Sequence, residues 1–193
     1  MEDQRKWFSD YFEQYRSHLF DESISSQLIE LAQRVAATHA AGRKLMVAGN
    51  GGSAAIASHA AVDFTKAAGV RCVSFNEPAL ITCFANDFGY ERWIEKAIEY
   101  YSDEGDLVIL ISSSGQSPNV VRAARAARDR ALALATFTGF EPDNPLRALG
   151  QPSLWVDSKV YNVVENVHQI WLLAVCDRVV RETARIRVAQ GLA

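Results

Sequence analysis

The chain has 193 residues, with 20 basic and 23 acidic side chains and a formal net charge of −3 at neutral pH. A chain of this length can bury a core without disulfides or metal ions, so one domain is expected. The balanced charge lacks the electropositive surface that nucleic-acid binding needs, so direct binding of nucleic acid is not expected. No apolar run approaches the roughly 18 residues of a membrane span, so neither a signal peptide nor a membrane anchor is expected.

Two helices are predicted at the amino terminus, over residues 3–20 and about 24–41. Both segments carry apolar side chains at helical spacing. These are Trp7, Phe8, Tyr11, Phe12, Tyr15 and Phe20, and then Ile24, Leu28, Leu31, Ala32, Val35 and Ala36. We therefore divide a single domain, 1–193, into a helical hairpin at 1–41 and an α/β core at 42–193.

From Arg43 onward, short β-type runs alternate with helical segments. Runs that are apolar on both faces and separated by helices predict a parallel sheet covered on both sides. A long final helix is predicted over about 162–188. Its apolar stripe is broad enough to pack against both the sheet and a partner chain. The fold class is therefore α/β, a doubly wound parallel sheet. The predicted strands are 44–49, 71–76, 106–112, 133–138 and 153–158.

The three cysteines, Cys72, Cys83 and Cys176, lie in apolar surroundings and show no CxxC spacing. This pattern is typical of buried free thiols in a reducing compartment. We therefore expect a cytoplasmic protein.

The first predicted strand leads into a glycine-rich turn, Gly49-Asn50-Gly51-Gly52-Ser53. Ligands of open parallel sheets bind at the carboxyl ends of the strands, where this turn lies. Glycines allow positive φ angles and a close approach of backbone N–H groups, and Ser53 is expected to cap a helix that begins at Ala54. The turn is suited to an anion. Its spacing is neither GxGxxG nor that of a nucleotide P-loop, so neither a dinucleotide nor ATP is predicted. A turn without a ligand is the alternative.

A serine-rich turn, SSSGQSPN at residues 112–119, follows the third predicted strand. Four hydroxyls within six residues, with Pro118 suited to the first turn of the next helix, offer donors to a phosphate at a helix N-terminus. The turn contains no Lys or Arg, which suits a phosphate monoester held by neutral donors. An ordinary serine-rich cap is the alternative.

Together, the two turns closely resemble those of the sugar isomerase (SIS) domain family, and most of all its phosphoheptose isomerase branch. The segments CFANDFGYE at 83–91 and TFTG at 136–139 extend the resemblance over nearly the whole chain. It implies a five-stranded parallel sheet flanked by helices, a homotetramer with sites between subunits, and a phosphosugar ligand. The implied phosphate ligands are Ser112, Ser113, Ser114 and Ser117, and the implied sugar-lining residues are Asn50, Gly51, Ser53 and Asp87.

The resemblance also implies an aldose–ketose isomerisation, in which sedoheptulose 7-phosphate becomes a heptose 7-phosphate for surface polysaccharides. Moving a proton between C1 and C2 through an enediol needs a base and an acid beside these carbons. In the isomerases these are a Glu after the glycine turn and a His on the final helix, and the matching positions here are Asp63 and Leu173. Aspartate is competent but shorter, whereas leucine cannot move a proton.

Asp63, Glu165 and His168 are the candidate catalytic residues. Glu165 and His168 are three apart on the final helix and share a face, and Glu165 stands where the isomerases carry a Gln. Glu165 is the candidate base and His168 the candidate proton shuttle, with a packing histidine as the alternative. The second function hypothesis is a non-catalytic SIS protein, similar to the family's replication-initiation regulator, and Leu173 favours it.

Some phosphoheptose isomerases bind zinc through His, Glu, Gln and His at comparable positions. The resemblance makes His59, Asp63 and Glu165 the candidate zinc ligands here, with Leu173 replacing the fourth. A His and an Asp four residues apart are also a common hydrogen-bonded pair within a helix. We therefore expect no required cofactor and retain zinc as an alternative.

Overall fold

The computed structural model describes residues 2–189, with side chains to residue 183. The helices are α1 (Glu2–Leu19), α2 (Glu22–Ala40), α3 (Gly52–Lys66), α4 (Pro78–Phe88), a short 3-10 helix (Tyr90–Arg92), α5 (Trp93–Tyr101), α6 (Pro118–Asp129) and α7 (Tyr161–Ala189). The strands are β1 (Leu45–Gly49), β2 (Cys72–Ser74), β3 (Leu107–Ser112), β4 (Ala133–Gly139) and β5 (Ser153–Val156).

The five strands form one parallel sheet in the order β2-β1-β3-β4-β5. Every residue of β1 and β3 is buried, as expected for strands covered on both faces. In the register of the two central strands, Gly49 lies opposite Ile111. The predicted fold class is confirmed.

Alternate side chains of each central strand enter two separate cores. Leu45 and Val47 of β1 pack on one face of the sheet with α2, α3 and α7. Met46 and Ala48 pack on the other face with α5 and α6. This period of two follows from the pleat of the strand, and it fixes which helices lie on each side of the sheet.

The two amino-terminal helices differ in how they contact the rest of the protein. In α2, Leu31 and Val35 are completely buried in the core beside α3 and α7, so this helix is part of the core. In contrast, α1 has no buried residue, and its Trp7 and Phe12 are 59% and 63% exposed. The hairpin therefore presents an aromatic surface on its outer helix.

The three cysteines differ in burial. Cys72 and Cys176 are buried free thiols, as predicted, but Cys83 is exposed. The prediction for Cys83 was wrong because α4, which carries it, has no buried residue in spite of its apolar sequence. Within residues 2–189, no helix has the length and apolar character that a membrane crossing requires.

Candidate active site

The glycine turn and the serine turn are neighbours at the carboxyl edge of the sheet, because β1 and β3 pair side by side. Asn50 and Asn119 join them by two reciprocal hydrogen bonds: Asn50 Nδ2 donates to Asn119 Oδ1 at 2.9 Å, and Asn119 Nδ2 donates to Asn50 Oδ1 at 2.8 Å. The Tyr90 hydroxyl also donates to Asn50 Oδ1, at 3.3 Å. The structure thus brings together the two turns that the sequence singled out.

The glycine turn ends where α3 begins, at Gly52. Gly51 is the residue before the helix, with φ 54° and ψ −122°, and no side chain caps the helix. Ser53 lies inside the first helical turn and is 3% exposed, so the prediction that it caps a helix beginning at Ala54 was wrong. The helix starts earlier because glycine adopts the positive φ easily. Because no side chain caps it, the N-terminus of α3 can attract an anion.

Glu165 places its carboxylate at this N-terminus. A Cβ on Gly52 would lie only 2.2 Å from Glu165 Oε2, so glycine is required for the carboxylate to sit there. The partial positive charge of the helix N-terminus favours a nearby anion, while partial burial raises the pKa of Glu165. A carboxylate whose pKa is raised is a stronger base than a free one, which favours proton abstraction. The predicted catalytic Glu165 therefore lies beside the glycine turn.

The serine turn is compact, and two of its hydroxyls are buried. Ser112 Oγ donates to Ser117 Oγ at 3.1 Å, and Ser114 Oγ accepts from the backbone N–H of Gln116 at 3.2 Å. Ser113 Oγ is buried, and within the described part of the chain it has no hydrogen-bond partner. The turn therefore holds a hydroxyl whose hydrogen bond a ligand can supply.

The geometry of the serine turn depends on Gly115, whose φ is 64°. A Cβ at this position would lie 1.9 Å from Oδ1 of the buried Asn144. Ser117 precedes α6, but its side chain does not cap this helix. The turn therefore leaves the N-terminus of α6, with its serine hydroxyls, available for a phosphate.

Asp87 was predicted to line the sugar. It is exposed on α4, where Oδ2 lies 3.7 Å from Cys83 Sγ and Oδ1 accepts from Asn86 Nδ2 at 2.9 Å. From the same segment it is Tyr90 that reaches the glycine turn. A contact between Asp87 and a sugar stays a prediction.

A second polar group lies further along α3, where that helix packs against α7. His59 Nε2 is 3.2 Å from Asp63 Oδ2, and His59 Nδ1 is 2.9 Å from Gln169 Nε2. The side chains of His59 and Asp63 are 51% and 38% exposed, so both are open to a ligand. Sequence reasoning missed Gln169, although it is four residues from Glu165 and so lies on the same face of α7.

His168 is in the core, not in the site. It is completely buried, its Nε2 is 3.0 Å from the Thr138 carbonyl oxygen, and its ring packs edge-on against Phe137. Burial lowers its pKa from 6.5 to about 4, so the imidazole is neutral at physiological pH. The proposed proton shuttle is therefore corrected to the alternative, a packing histidine.

The predicted zinc ligands do not come together within one chain. His59 and Asp63 are paired, but Glu165 lies by Gly52, seven residues or about 10 Å along α3 from His59. Among residues 2–189, no group of three or more His, Cys, Asp or Glu side chains is arranged to hold a metal ion. Within a single chain this donor set does not fit zinc, and we assign no step to a metal.

Two cavities lie outside both turns. One, of about 560 Å³, is lined by charged residues of α5 and α6. The other, of about 220 Å³, lies between α2, β5 and α7. Gly51, Gly52 and Gln116 are exposed, so in the single chain the candidate site between the two turns, here called the cleft, is open to solvent.

Comparison with known proteins agrees with this geometry. The sequence profile described as "SIS domain" matches residues 8–139. A phosphoheptose isomerase of Fusobacterium nucleatum is 31% identical over 175 residues, covering 88% of this chain and 90% of that protein. A phosphoheptose isomerase of Paramagnetospirillum magneticum is 36% identical over 156 residues, covering 77% and 80%.

A solved structure leads to the same family. The phosphoheptose isomerase of Neisseria gonorrhoeae superimposes with a TM-score of 0.82 at 25% identity, covering 91% of this chain and 98% of that one. The resemblance carried by the two turns is thereby confirmed. This chain belongs to the SIS domain family, in which it is similar to phosphoheptose isomerases.

Proposed function

We propose that this protein is a phosphosugar aldose–ketose isomerase that converts sedoheptulose 7-phosphate into a heptose 7-phosphate. The observation that carries the proposal is the junction of the glycine and serine turns through Asn50 and Asn119, with the Glu165 carboxylate beside it. This arrangement provides phosphate donors and an acid–base group at one edge of the sheet. The similarity to phosphoheptose isomerases supports the choice of a seven-carbon substrate.

The phosphate would bind the serine hydroxyls and the backbone N–H groups at the N-terminus of α6. The free hydroxyl of Ser113 and the uncapped helix support this position. The sugar would then extend past Asn50, Gly51 and Ser53 toward α3, and the N-terminus of α3 would stabilise negative charge on the enediol oxygens.

The reaction requires two proton movements. A carboxylate removes a proton from C1 of the ketose as the C2 carbonyl oxygen takes one up, which gives the enediol. A proton is then returned to C2 as the O1 hydroxyl loses its own, which gives the aldehyde. We assign this work to Glu165, beside Gly52, and to Asp63. Asp63 lies eleven residues, or about 16 Å, further along α3, so it would reach the same substrate only from a second subunit.

We further propose that the protein acts in the cytoplasm as a homotetramer, with each site completed by a second subunit. Two features support this assembly: the exposed aromatic side chains of α1 and the openness of the cleft in one chain. The product would supply surface polysaccharide synthesis.

A non-catalytic phosphosugar-binding protein is the second candidate. One observation favours it: α7 brings no imidazole into the cleft, because His168 is buried and residue 173 is leucine. The same phosphate site would serve a sensor equally well.

Turnover of sedoheptulose 7-phosphate, followed by NMR in deuterated water, separates the two candidates. An isomerase incorporates deuterium at C2 of the aldose, and Glu165→Gln and Asp63→Asn reduce this incorporation. Glu104→Gln, at an exposed position away from the cleft, is the matched control. Binding without turnover or deuterium incorporation, for this sugar and for five- and six-carbon phosphates, would establish the sensor instead.

A further inference from the structure

We propose that Tyr90 is a positioning residue, which acts through Asn50 on the sugar that the cleft binds. This inference rests on the proposed function, because that function places the sugar beside Asn50. The Tyr90 hydroxyl donates to Asn50 Oδ1 at 3.3 Å, although the residue is on the surface and 57% exposed. Tyr90 belongs to neither turn, so it adds a third segment of the chain to the candidate site.

The backbone before Tyr90 explains how its side chain reaches the glycine turn. α4 ends at Phe88, and Gly89 follows with φ 87° and ψ 147°, a conformation that glycine adopts because it has no Cβ. The N–H of Gly89 donates to the carbonyl oxygen of Ala85 and closes the helix. The chain then enters the 3-10 helix that begins at Tyr90. A defined backbone turn therefore sets the position of the tyrosine.

The hydrogen bonds of Asn50 show what the tyrosine hydroxyl does. An amide oxygen has two lone pairs, and an amide NH₂ has two hydrogens. Oδ1 accepts from Asn119 Nδ2 at 2.8 Å and from the Tyr90 hydroxyl, so both of its lone pairs are engaged. Among the described residues, Nδ2 donates only to Asn119 Oδ1, at 2.9 Å. One N–H of Asn50 is therefore left for a ligand, which can meet this amide only as a hydrogen-bond acceptor.

Without the hydroxyl, the Asn50 amide would be held by Asn119 alone. Its oxygen would have a vacant lone pair, and the half-buried side chain would have more freedom to turn its free N–H away from the sugar. Since one neutral hydrogen bond changes an equilibrium constant about 2- to 10-fold, we expect its loss to weaken the binding of sugar phosphate by this factor. Inorganic phosphate should bind as before, because the serine turn holds it without Asn50.

Calorimetric titration of the full chain with sedoheptulose 7-phosphate, and separately with inorganic phosphate, tests the proposal. Tyr90→Phe removes the hydroxyl and keeps the ring, and at so exposed a position it should leave the fold intact. Tyr161→Phe, at a residue that is also 57% exposed, is the matched control. Asn50→Ala provides a background in which the tyrosine has no amide to hold.

Tyr90→Phe is expected to weaken the binding of sedoheptulose 7-phosphate and not that of inorganic phosphate, while Tyr161→Phe changes neither. In the Asn50→Ala background, Tyr90→Phe should have no further effect, because the hydroxyl acts through the amide. An unchanged affinity for the sugar phosphate in Tyr90→Phe would overturn the proposal. An equal loss in the Asn50→Ala background would also overturn it, since the hydroxyl would then contact the ligand itself.

A second measurement needs no ligand. The side-chain amide signals of Asn50 in the NMR spectrum, assigned by their loss in Asn50→Ala, should shift in Tyr90→Phe and stay in place in Tyr161→Phe. Unshifted signals in Tyr90→Phe would contradict the contact.

The two readouts separate this inference from the proposed function. A wild type that binds sedoheptulose 7-phosphate but never isomerises it overturns the proposed reaction, while the role of Tyr90 in binding is still decided by the affinity of Tyr90→Phe. A wild type that binds no sugar phosphate overturns both, even where the amide signals confirm the contact.

Discussion

The side chains of Asn50 and Asn119 exchange two hydrogen bonds, at 2.9 and 2.8 Å, and so fasten the glycine turn after β1 to the serine turn before α6. Asn119 is 2% exposed and Asn50 is half-buried, so the pair is partly shielded from competition with water. The two halves of the candidate site are thus held in a fixed relation before any ligand arrives. This reduces the conformational freedom that binding would otherwise have to remove.

Replacing Asn119 with Asp should disrupt this junction. The Nδ2 donor to Asn50 becomes an oxygen that faces another oxygen, and a buried carboxylate is left without a paired cation. We expect a loss of about 1–3 kcal/mol in the free energy of unfolding, with weaker binding of sugar phosphate. Chemical denaturation and calorimetry measure the two effects. Asn162→Asp, at an exposed position, is the control, and equal stability of both variants would contradict the role of the pair.

Gly115→Ala should destabilise the serine turn more than the same change does at Gly42. Both glycines have positive φ, 64° and 70°, so alanine costs about 1 kcal/mol at either site. Only at Gly115 does the new Cβ collide, at 1.9 Å from Asn144 Oδ1, whereas nothing lies within 4 Å of a Cβ at Gly42. Thermal denaturation of the two variants compares them directly. We expect the lower melting temperature, and the weaker binding of phosphate, in Gly115→Ala.

Gly52→Ala should displace Glu165 without unfolding the protein. The new Cβ would meet the end of a flexible side chain rather than the backbone, so the carboxylate can swing away. We expect near-normal stability and at least a tenfold fall in kcat, because the displaced carboxylate is no longer positioned to take the substrate proton.

The pH profile of the Gly52→Ala variant provides a second measurement. Burial raises the pKa of Glu165, and as a base it must be ionised, so wild-type activity falls as the pH drops toward this raised pKa. In the variant, a more exposed carboxyl should shift this acidic limb to lower pH. An unchanged limb would show that Glu165 is not the group that titrates.

His168 should make the folded state sensitive to acid. Its pKa is lowered by burial from 6.5 to about 4, so the unfolded chain binds a proton at this residue before the folded chain does. The stability linked to His168 is therefore fully present above pH 6.5 and is lost as the pH falls from 6.5 toward 4. The loss is on the order of 3 kcal/mol.

Unfolding free energies at several pH values test this prediction. His168→Leu should remove this part of the pH dependence, whereas His39→Gln, at an exposed position on α2, should retain it. The same slope in wild type and His168→Leu would show that other groups account for the acid sensitivity.

The sheet was well predicted because its strands are short apolar runs that end in glycine or polar residues. β3 begins one residue later than expected and ends as expected, at Ser112. The predicted second strand, 71–76, is longer than the observed β2, Cys72–Ser74. As an edge strand it pairs only with β1, and Phe75 already packs into the core beside α5. Sequence alone does not reveal how far an edge strand remains paired.

The site was predicted less completely, and α7 shows why. Relative to Glu165, a residue three further on lies about 60° around the helix in one direction, and a residue four further on lies about 40° in the other. Both share a face with Glu165, so spacing alone made His168 a candidate and left Gln169 unnoticed. The sheet packs against the side of α7 that carries His168. A single sequence does not show which side of a helix faces the sheet.

The serine turn, residues 112–119, contains neither lysine nor arginine. A phosphate held there by hydroxyls and peptide N–H groups gains little from long-range attraction between opposite charges. Its affinity should therefore depend only weakly on ionic strength, unlike that of a site built from an arginine clamp. Such a site exchanges ligand readily, as suits a protein whose substrate and product carry the same phosphate.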